Sequence, residues 1–237
     1  MAERLKSILK RIHWYLALKA AVFAIAWVWL PFWLFFLISL YLYAERLFHS
    51  RSLAVPFSTL LLLCYIQSPS APFAIIFGGV FYFILLIKNL ILIDRRSAYE
   101  LVVLTLTFLL ARDFYAAWNG GVTGAAVAYA FLAAAVFGFL ARSFIRFFKN
   151  DITVSVGVPR TAVTLMVLLM WQAFIAGLFL PVDFTYQTVM VFLVAVLLID
   201  LVPQHLTGNI TRAKVFTAAS VIFTLFVVVL GSARWGL

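Results

Sequence analysis

Charged residues are scarce in this chain of 237 residues, and their scarcity excludes an ordinary water-soluble domain. Asp, Glu, Lys and Arg supply 11% of the sequence, whereas a soluble domain carries about 25%. The apolar residues supply 66%, against roughly half in a soluble domain. Because lipid is the only solvent in which so much Leu, Phe, Val and Ala can face outward, the composition predicts an all-α, polytopic transmembrane helix bundle.

The sequence also has a single cysteine and lacks the common catalytic motifs. The single cysteine, Cys64, excludes an intrachain disulfide and, within an apolar run, is expected to be a buried core residue. The sequence has no glycine-rich phosphate loop, no GxSxG nucleophile elbow, no CxxC pair and no HExxH pair. The loops are too short to form a soluble catalytic domain. No cofactor is therefore predicted.

The net charge of +10 does not indicate a nucleic-acid partner. The eighteen Lys and Arg residues lie in short clusters between apolar runs, not on one basic face. Such clusters are typical of cytoplasmic anchors that contact anionic lipid headgroups. We therefore expect membrane lipids as partners, together with protein partners inside the membrane, and no nucleic acid.

The start of the chain predicts an interfacial helix followed by a helical hairpin. Residues 1–12 are amphipathic at helical spacing and should lie along the cytoplasmic headgroups. One helix over residues 13–44 would reach about 45 Å, which is too long for an untilted crossing. Pro31 lies in its middle, flanked by interface-favouring tryptophans: Trp27, Trp29 and Trp33. We therefore expect two short spans, 14–30 and 32–47, the alternative being one long, kinked helix.

Seven further apolar segments complete a single transmembrane domain over residues 1–237. Proline, glycine and charged residues separate them, including the Pro203 break. The predicted spans are 53–67, 73–93, 99–118, 121–141, 161–180, 185–201 and 215–233. The total is nine spans, or eight if the first hairpin is a single helix.

The distribution of positive charge favours nine spans. With the N-terminus in the cytoplasm, sixteen of the eighteen Lys and Arg residues fall on the cytoplasmic side, and only Arg112 and Arg234 fall outside. Eight spans would give a split of eleven to seven. Because cytoplasmic loops carry an excess of Lys and Arg, we predict a cell-membrane protein with a cytoplasmic N-terminus and an external C-terminus.

Segment 121–141 differs from the other spans in its small residues. Pairs four residues apart occur at Gly124/Ala128 and Ala134/Gly138. Small residues let helix backbones approach closely inside a membrane. This pattern predicts the most tightly packed and least lipid-exposed span, in which leucine at either glycine should disrupt folding.

A few polar side chains within the spans are candidates for a polar cavity, because such groups are costly in lipid unless they are paired or hydrated. Lys88 and Asn89 either line a cavity or serve as a lysine that snorkels to the interface beside a helix-bridging asparagine. Arg112 and Asp113 form either a gating ion pair or an interfacial cap. Gln172 either contacts a substrate or makes an interhelical hydrogen bond.

Histidines and carboxylates at the cytoplasmic rim are candidate ligands for a metal ion. Glu45 and His49 are four residues apart and share a helix face. Asp200 and His205 flank Pro203 at the same predicted depth. Nitrogen and carboxylate ligands of this kind bind divalent metals, although interfacial histidines are common without one.

Three functions fit these features. The favoured one is a non-enzymatic membrane component: a scaffold, an assembly factor or a subunit of a membrane complex. The first alternative is a transporter or channel for a small or lipidic solute. The second is a membrane-embedded, lipid-modifying enzyme that uses the rim histidines.

The predicted hairpin is tested at its turn. In a chain with Cys64 replaced by serine, Leu30→Cys should react with an impermeant thiol reagent added outside the cell, because Pro31 marks an outer turn. Labelling from the cytoplasm alone, or none at all, would contradict the hairpin.

Overall fold

The computed structural model describes residues 13–45, 50–89, 94–118, 123–149, 160–206, 208 and 210–233. Within these residues the chain forms nine helices and no strand. The helices are α1 (Trp14–Trp29), α2 (Phe32–Ala44), α3 (Ser50–Ile66), α4 (Ala71–Lys88), α5 (Arg95–Ala117), α6 (Gly124–Lys149), α7 (Arg160–Leu178), α8 (Phe184–Leu206) and α9 (Arg212–Ser232). The all-helical prediction is confirmed for this part of the chain, and the amphipathic segment 1–12 lies outside it.

Five of these helices are long and apolar enough to cross a membrane: α4, α6, α7, α8 and α9. The apolar helices α1, α2 and α3 are shorter, at 13 to 17 residues. Helix α5 has 23 residues but includes five charged ones: Arg95, Arg96, Glu100, Arg112 and Asp113. Helix α5 is therefore not among the five, although residues 101–111 between these charges are apolar or uncharged.

The chain divides into two compact units, Met1–Val102 and Val103–Leu237, with the boundary inside α5. In the first unit, α1 and α2 form a hairpin that turns at Pro31, the residue that caps the start of α2. Lys19 of α1 contacts Glu45 at the end of α2, although the two are separated by 26 residues. A single long helix would hold these residues about 39 Å apart. The predicted turn is therefore present.

The three tryptophans near this turn differ in their surroundings. Trp29 and Trp33 are exposed, as expected of side chains at an interface. Trp27 is buried, and its indole Nε1–H donates a hydrogen bond of 2.8 Å to the carbonyl oxygen of Cys64. Trp27 therefore points into the protein, where its ring meets Phe77 of α4 edge-on at 4.9 Å between centroids and its N–H bonds to α3.

Aromatic side chains fill the core of the first unit. The ring of Phe23 stacks on Phe81 at 4.3 Å between centroids, and the ring of Phe35 meets Phe23 edge-on at 5.0 Å. Gly78 lets α1 approach α4, since a Cβ atom there would lie 3.1 Å from the Cβ of Ala24. Close packing of this kind is what holds helices together where no hydrophobic drive acts between them.

The second unit packs α6 on α7, α7 on α8, and α8 on α9. The indole of Trp171 donates to the carbonyl oxygen of Val127, joining α7 to α6 over 3.3 Å. Helix α5 joins the same unit through Tyr115, whose hydroxyl donates to the carbonyl oxygen of Phe174 over 2.9 Å. Helix α9 has no buried residue.

Two helices extend past their predicted ends. Helix α6 continues to Lys149 because Phe144 and Ile145 prolong its buried face beyond residue 141. Helix α8 continues through Pro203 to Leu206, so the predicted break at Pro203 was wrong. The side-chain amide of Gln204 donates to Asp200 over 2.6 Å, which links the helix across the backbone N–H that proline lacks.

The packing of α6 corrects the prediction made for its small residues. In α4, 56% of the span is buried, against 44% in α6, so α6 is not the least exposed span. Gly138 is buried and faces Val167 of α7. Gly124 has open space around its Cα, and Ala128 is exposed. Only the inner part of the small-residue pattern therefore supports close approach.

Asp94 caps the start of α5 outside the apolar segments. Its carboxylate accepts hydrogen bonds from the hydroxyl and the backbone N–H of Ser97 at 2.6 and 3.1 Å. The hydroxyl bond, followed by the N–H bond, lowers the pKa of Asp94 below its usual value. The stabilisation from this cap is present above the ordinary carboxyl pKa and is lost as the pH falls through the lowered one.

The two glycines of α6 give a matched pair of variants. Gly138→Leu should destabilise the protein by about 1–3 kcal/mol because the new side chain overlaps Val167. Gly124→Leu on the same helix should leave stability nearly unchanged. Thermal unfolding in detergent micelles measures both, and equal losses would contradict the packing of α6 on α7.

Candidate functional site

Five side chains form a polar cluster at one end of the first unit: Tyr15, Lys19, Tyr43, Glu45 and Lys88. We refer to them as the lysine cluster. They come from the beginning of α1, the end of α2 and the end of α4. The hairpin brings the first two helices together, and α4 packs antiparallel to α1. Three helix ends therefore meet at the cluster.

Glu45 is the acidic centre of the lysine cluster. Its two carboxylate oxygens are held by different donors on α1, the hydroxyl of Tyr15 and the ammonium of Lys19. The Lys19 ammonium also lies 4.5 Å from the centre of the Tyr15 ring, within the range of a cation–π interaction. These contacts fix the end of α2 against the start of α1.

Lys88 is buried, with 2% of its surface exposed. Its ammonium donates to the backbone carbonyl of Tyr43 and lies 4.3 Å from the centre of the Tyr43 ring. That carbonyl belongs to the last turn of α2. The Tyr43 ring is stacked on Phe57 at 4.1 Å, so Lys88 connects α4 with α2 and, through the ring, with α3.

The space inside the lysine cluster is very small. A cavity of about 10 Å³ lies between the helix ends, lined by Tyr15, Leu16, Lys19, Leu42, Leu85, Lys88 and Asn89. A volume of about 10–15 Å³ admits a single water molecule. Among the described residues, Lys88 and Asn89 therefore line a space of about the size of one water molecule, and a functional polar cavity there stays a prediction.

Within the cluster, two ammonium groups face one carboxylate. The extra positive charge is balanced by neutral acceptors: the Tyr43 carbonyl and the faces of two tyrosine rings. Charges placed in apolar surroundings need such partners, because removing them from water costs several kcal/mol per ion. The arrangement thus satisfies buried cations and joins three helix ends.

The local roles expected for Lys88 and Asn89 need correction. Lys88 does not reach the surface, because the Tyr43 carbonyl and ring hold its ammonium inside. Within the part of the chain that the structure describes, Asn89 makes no hydrogen bond to another helix. Its side-chain amide donates to the carbonyl oxygen of Leu85 over 2.8 Å and so caps the end of its own helix.

The other predicted polar residues lie in the second unit. Arg112 and Asp113 form an ion pair of 3.3 Å, and both side chains are partly buried. Gln172 is exposed on the surface of α7. It makes no interhelical hydrogen bond among the residues that the structure describes, so the expected bond is absent there.

The suggested metal ligands are only partly visible. His49 lies outside the described residues, whereas Glu45 is engaged by Tyr15 and Lys19. Asp200 accepts a hydrogen bond from Gln204, and His205 is exposed. The described ranges contain no group of three potential metal ligands. The four-ligand site stays a prediction.

An apolar groove runs along the side of α1 and α4. It has a volume of about 410 Å³ and an almost wholly apolar lining: Ala17, Ala20, Ala21, Ala24, Ala74, Ile75, Gly78, Gly79 and Tyr82. The small side chains create the groove, because alanine and glycine leave space that larger residues would fill. On α1 it lies on the face opposite Lys19, so it is separate from the lysine cluster.

Sequence reasoning singled out Lys88 but overlooked Lys19, Tyr15 and Tyr43 as its neighbours. One signal for the ion pair was present. Lys19 and Glu45 lie 12 and 14 residues from Pro31, so an antiparallel hairpin turning at that proline must bring them to the same level. No comparable signal linked Lys88 to Tyr43, since α4 follows the hairpin after an intervening helix.

Comparison with known proteins adds no assignment to this geometry. No family model, no curated protein and no solved structure matches the chain. The functional conclusion therefore rests on the residues and contacts described above.

The Lys19–Glu45 pair makes a testable contribution to stability. Lys19→Met and Glu45→Gln should each lower the free energy of unfolding by about 1–2 kcal/mol, because each leaves a charge without its partner. This loss is smaller than for a fully buried pair, since a third of the Glu45 side chain is exposed to solvent screening. The double variant should lie closer to the original protein than either single variant. Lys214→Met, at an exposed lysine, is the control. Additive losses in thermal unfolding would show that the two side chains do not interact.

Proposed function

We propose that the chain is a non-enzymatic integral membrane protein that acts as a scaffold, an assembly factor or a subunit of a membrane complex. The observation that carries this proposal is the lysine cluster. Its ionisable side chains occupy the place where transport or catalysis would need open polar space. They are engaged with one another and with the ends of three helices, around a cavity of about 10 Å³.

The proposal includes nine spans, with the N-terminus in the cytoplasm and the C-terminus outside the cell membrane. The sixteen-to-two split of Lys and Arg supports this topology. The Pro31 turn supports nine spans over eight, since it makes two helices of the first apolar run. The arms of 16 and 13 residues are short for a crossing, and a locally thinned bilayer with anchoring side chains would accommodate them.

Anionic lipid headgroups are the proposed partners of the cytoplasmic side. Four exposed basic residues of the second unit belong to the end of α6 and the beginnings of α7 and α9: Arg146, Arg160, Arg212 and Lys214. Because α6 and α7 are antiparallel, as are α8 and α9, these ends share one side of the unit. Each such residue near an anionic surface contributes about 1 kcal/mol to attraction.

The remaining polar candidates fit a structural role better than a solute path. Arg112 and Asp113 neutralise each other, and Gln172 lies on the outer surface of α7. The large groove beside α1 is apolar and suits hydrocarbon. Helix α9 touches α8 and buries none of its own side chains, so most of its surface is available to lipid or to another protein.

Accessibility of the cavity tests this function against transport. In the Cys64→Ser background, Leu85→Cys places a thiol at the lining of the cavity, where the native side chain is 2% exposed. A scaffold should show no reaction with a small impermeant thiol reagent from either side of membrane vesicles.

Leu30→Cys is the matched control, because it lies at the exposed Pro31 turn and should react from outside. Reaction of Leu85→Cys from both sides would indicate alternating access and favour a transporter. Reaction from the cytoplasmic side alone would reveal an open polar site and would equally contradict the proposal.

A further inference from the structure

Gln172 is a polar side chain on the exposed face of an apolar helix. It lies six residues before Leu178, where α7 ends, and therefore about 9 Å from that end along the axis. The chain remains apolar through Leu180, so no polar group follows until Asp183. A glutamine side chain is shorter than the two helical turns that separate it from that polar boundary.

An exposed amide at this depth needs a partner from outside the chain. Moving an amide from water to hydrocarbon without a hydrogen bond costs about 4–8 kcal/mol on the strictest scale. Gln172 has no hydrogen-bond partner among the described residues, and neighbouring exposed positions carry leucine. Its donor and acceptor therefore remain to be satisfied at the outer surface of α7.

Gln172 belongs to a regular seam along α7. Residues at alternating spacings of four and three form one stripe: Thr161, Leu165, Leu168, Gln172, Ile175 and Phe179. At 100° per residue this stripe lies opposite the buried face of α7, which consists of Met166, Met170, Phe174 and Gly177. Such spacing is the pattern by which two helices pack at a small crossing angle in membranes.

We infer that this seam, Thr161 to Phe179, is a contact surface for α7 of a second copy of the chain, with Gln172 pairing with Gln172. The inference rests on the proposed membrane topology. Identical chains insert in one orientation, so a two-fold axis along the membrane normal places both glutamines at the same depth. An amide has both a donor and an acceptor, and two of them can pair reciprocally. A polar residue within an apolar seam fixes the register of the helices.

Two adjacent leucines provide the test and its control. Leu168 lies in the seam, whereas Leu169 is rotated by 100° from it; their exposed fractions are 42% and 40%. In full-length protein with Cys64→Ser, oxidation in native membranes should crosslink Leu168→Cys into a dimer and leave Leu169→Cys monomeric. Equal crosslinking at both positions, or none at either, would overturn the inference.

The amide itself is tested by energy transfer between labelled copies in liposomes over a series of lipid dilutions. Gln172→Leu should weaken dimerisation by roughly three- to twentyfold, the range measured for hydrogen bonds between membrane helices. Gln172→Asn should retain most of the affinity. An unchanged dimer in Gln172→Leu would overturn the pairing.

A parallel extraction separates this inference from the proposed function. A chain that resists extraction from membranes at alkaline pH but stays monomeric at every dilution contradicts only the dimer. A chain released by the same treatment contradicts the membrane topology as well.

Discussion

A polar side chain placed among apolar helices must find its partners inside the protein, and this requirement organises the first unit. Lys88 is buried and donates to the backbone carbonyl of Tyr43 at the end of α2. Lys19 uses the only carboxylate of the lysine cluster, which Tyr15 also holds. The positions of three helix ends follow from these contacts. Without them, α1 and α4 would each carry an uncompensated charge into the core, at a cost of several kcal/mol.

Close packing of side chains holds the rest of the first unit together. Phe23, Phe35 and Phe81 interlock between α1, α2 and α4, and Gly78 lets two backbones approach. The second unit likewise combines packing with hydrogen bonding. Val167 packs against Gly138, and the hydroxyl of Tyr115 donates a hydrogen bond to the backbone of α7. Close packing supplies most of the contact area, whereas hydrogen bonds to backbone carbonyls fix which helices meet.

The helices could be predicted from sequence because their apolar runs have clear ends, and the turn at Pro31 could be predicted from a proline beside interface-favouring tryptophans. The extent of α6 and α8 could not. The end of α8 depends on a side-chain bond from Gln204 to Asp200, and the end of α6 on residues that bury against neighbouring helices. Gly124 and Gly138 share one type of spacing, yet only Gly138 faces another helix. The direction in which a stripe faces depends on packing that local spacing does not encode.

The candidate site could be predicted only in part, because its contacts also depend on how the helices pack. Lys88 was conspicuous because a charge in an apolar span is costly. Its partner is a backbone carbonyl, which every residue possesses and which no sequence pattern distinguishes. Gln172 was equally conspicuous, but the expected partner within the chain is absent from the described residues, since this face of α7 points away from its neighbours. Its functional meaning therefore depends on what surrounds the protein.

On this account the ion pair between Lys19 and Glu45 is structural and persists when the protein lies in a lipid bilayer. Solid-state NMR of the protein in lipid bilayers tests it directly, by recoupling ¹⁵N-labelled lysine ammonium groups with ¹³C-labelled glutamate carboxyl groups. A signal that corresponds to a separation of about 4 Å, the limit for a direct ion pair, should appear and should vanish in Lys19→Met. A spectrum without that signal, or one unchanged in Lys19→Met, would contradict the account.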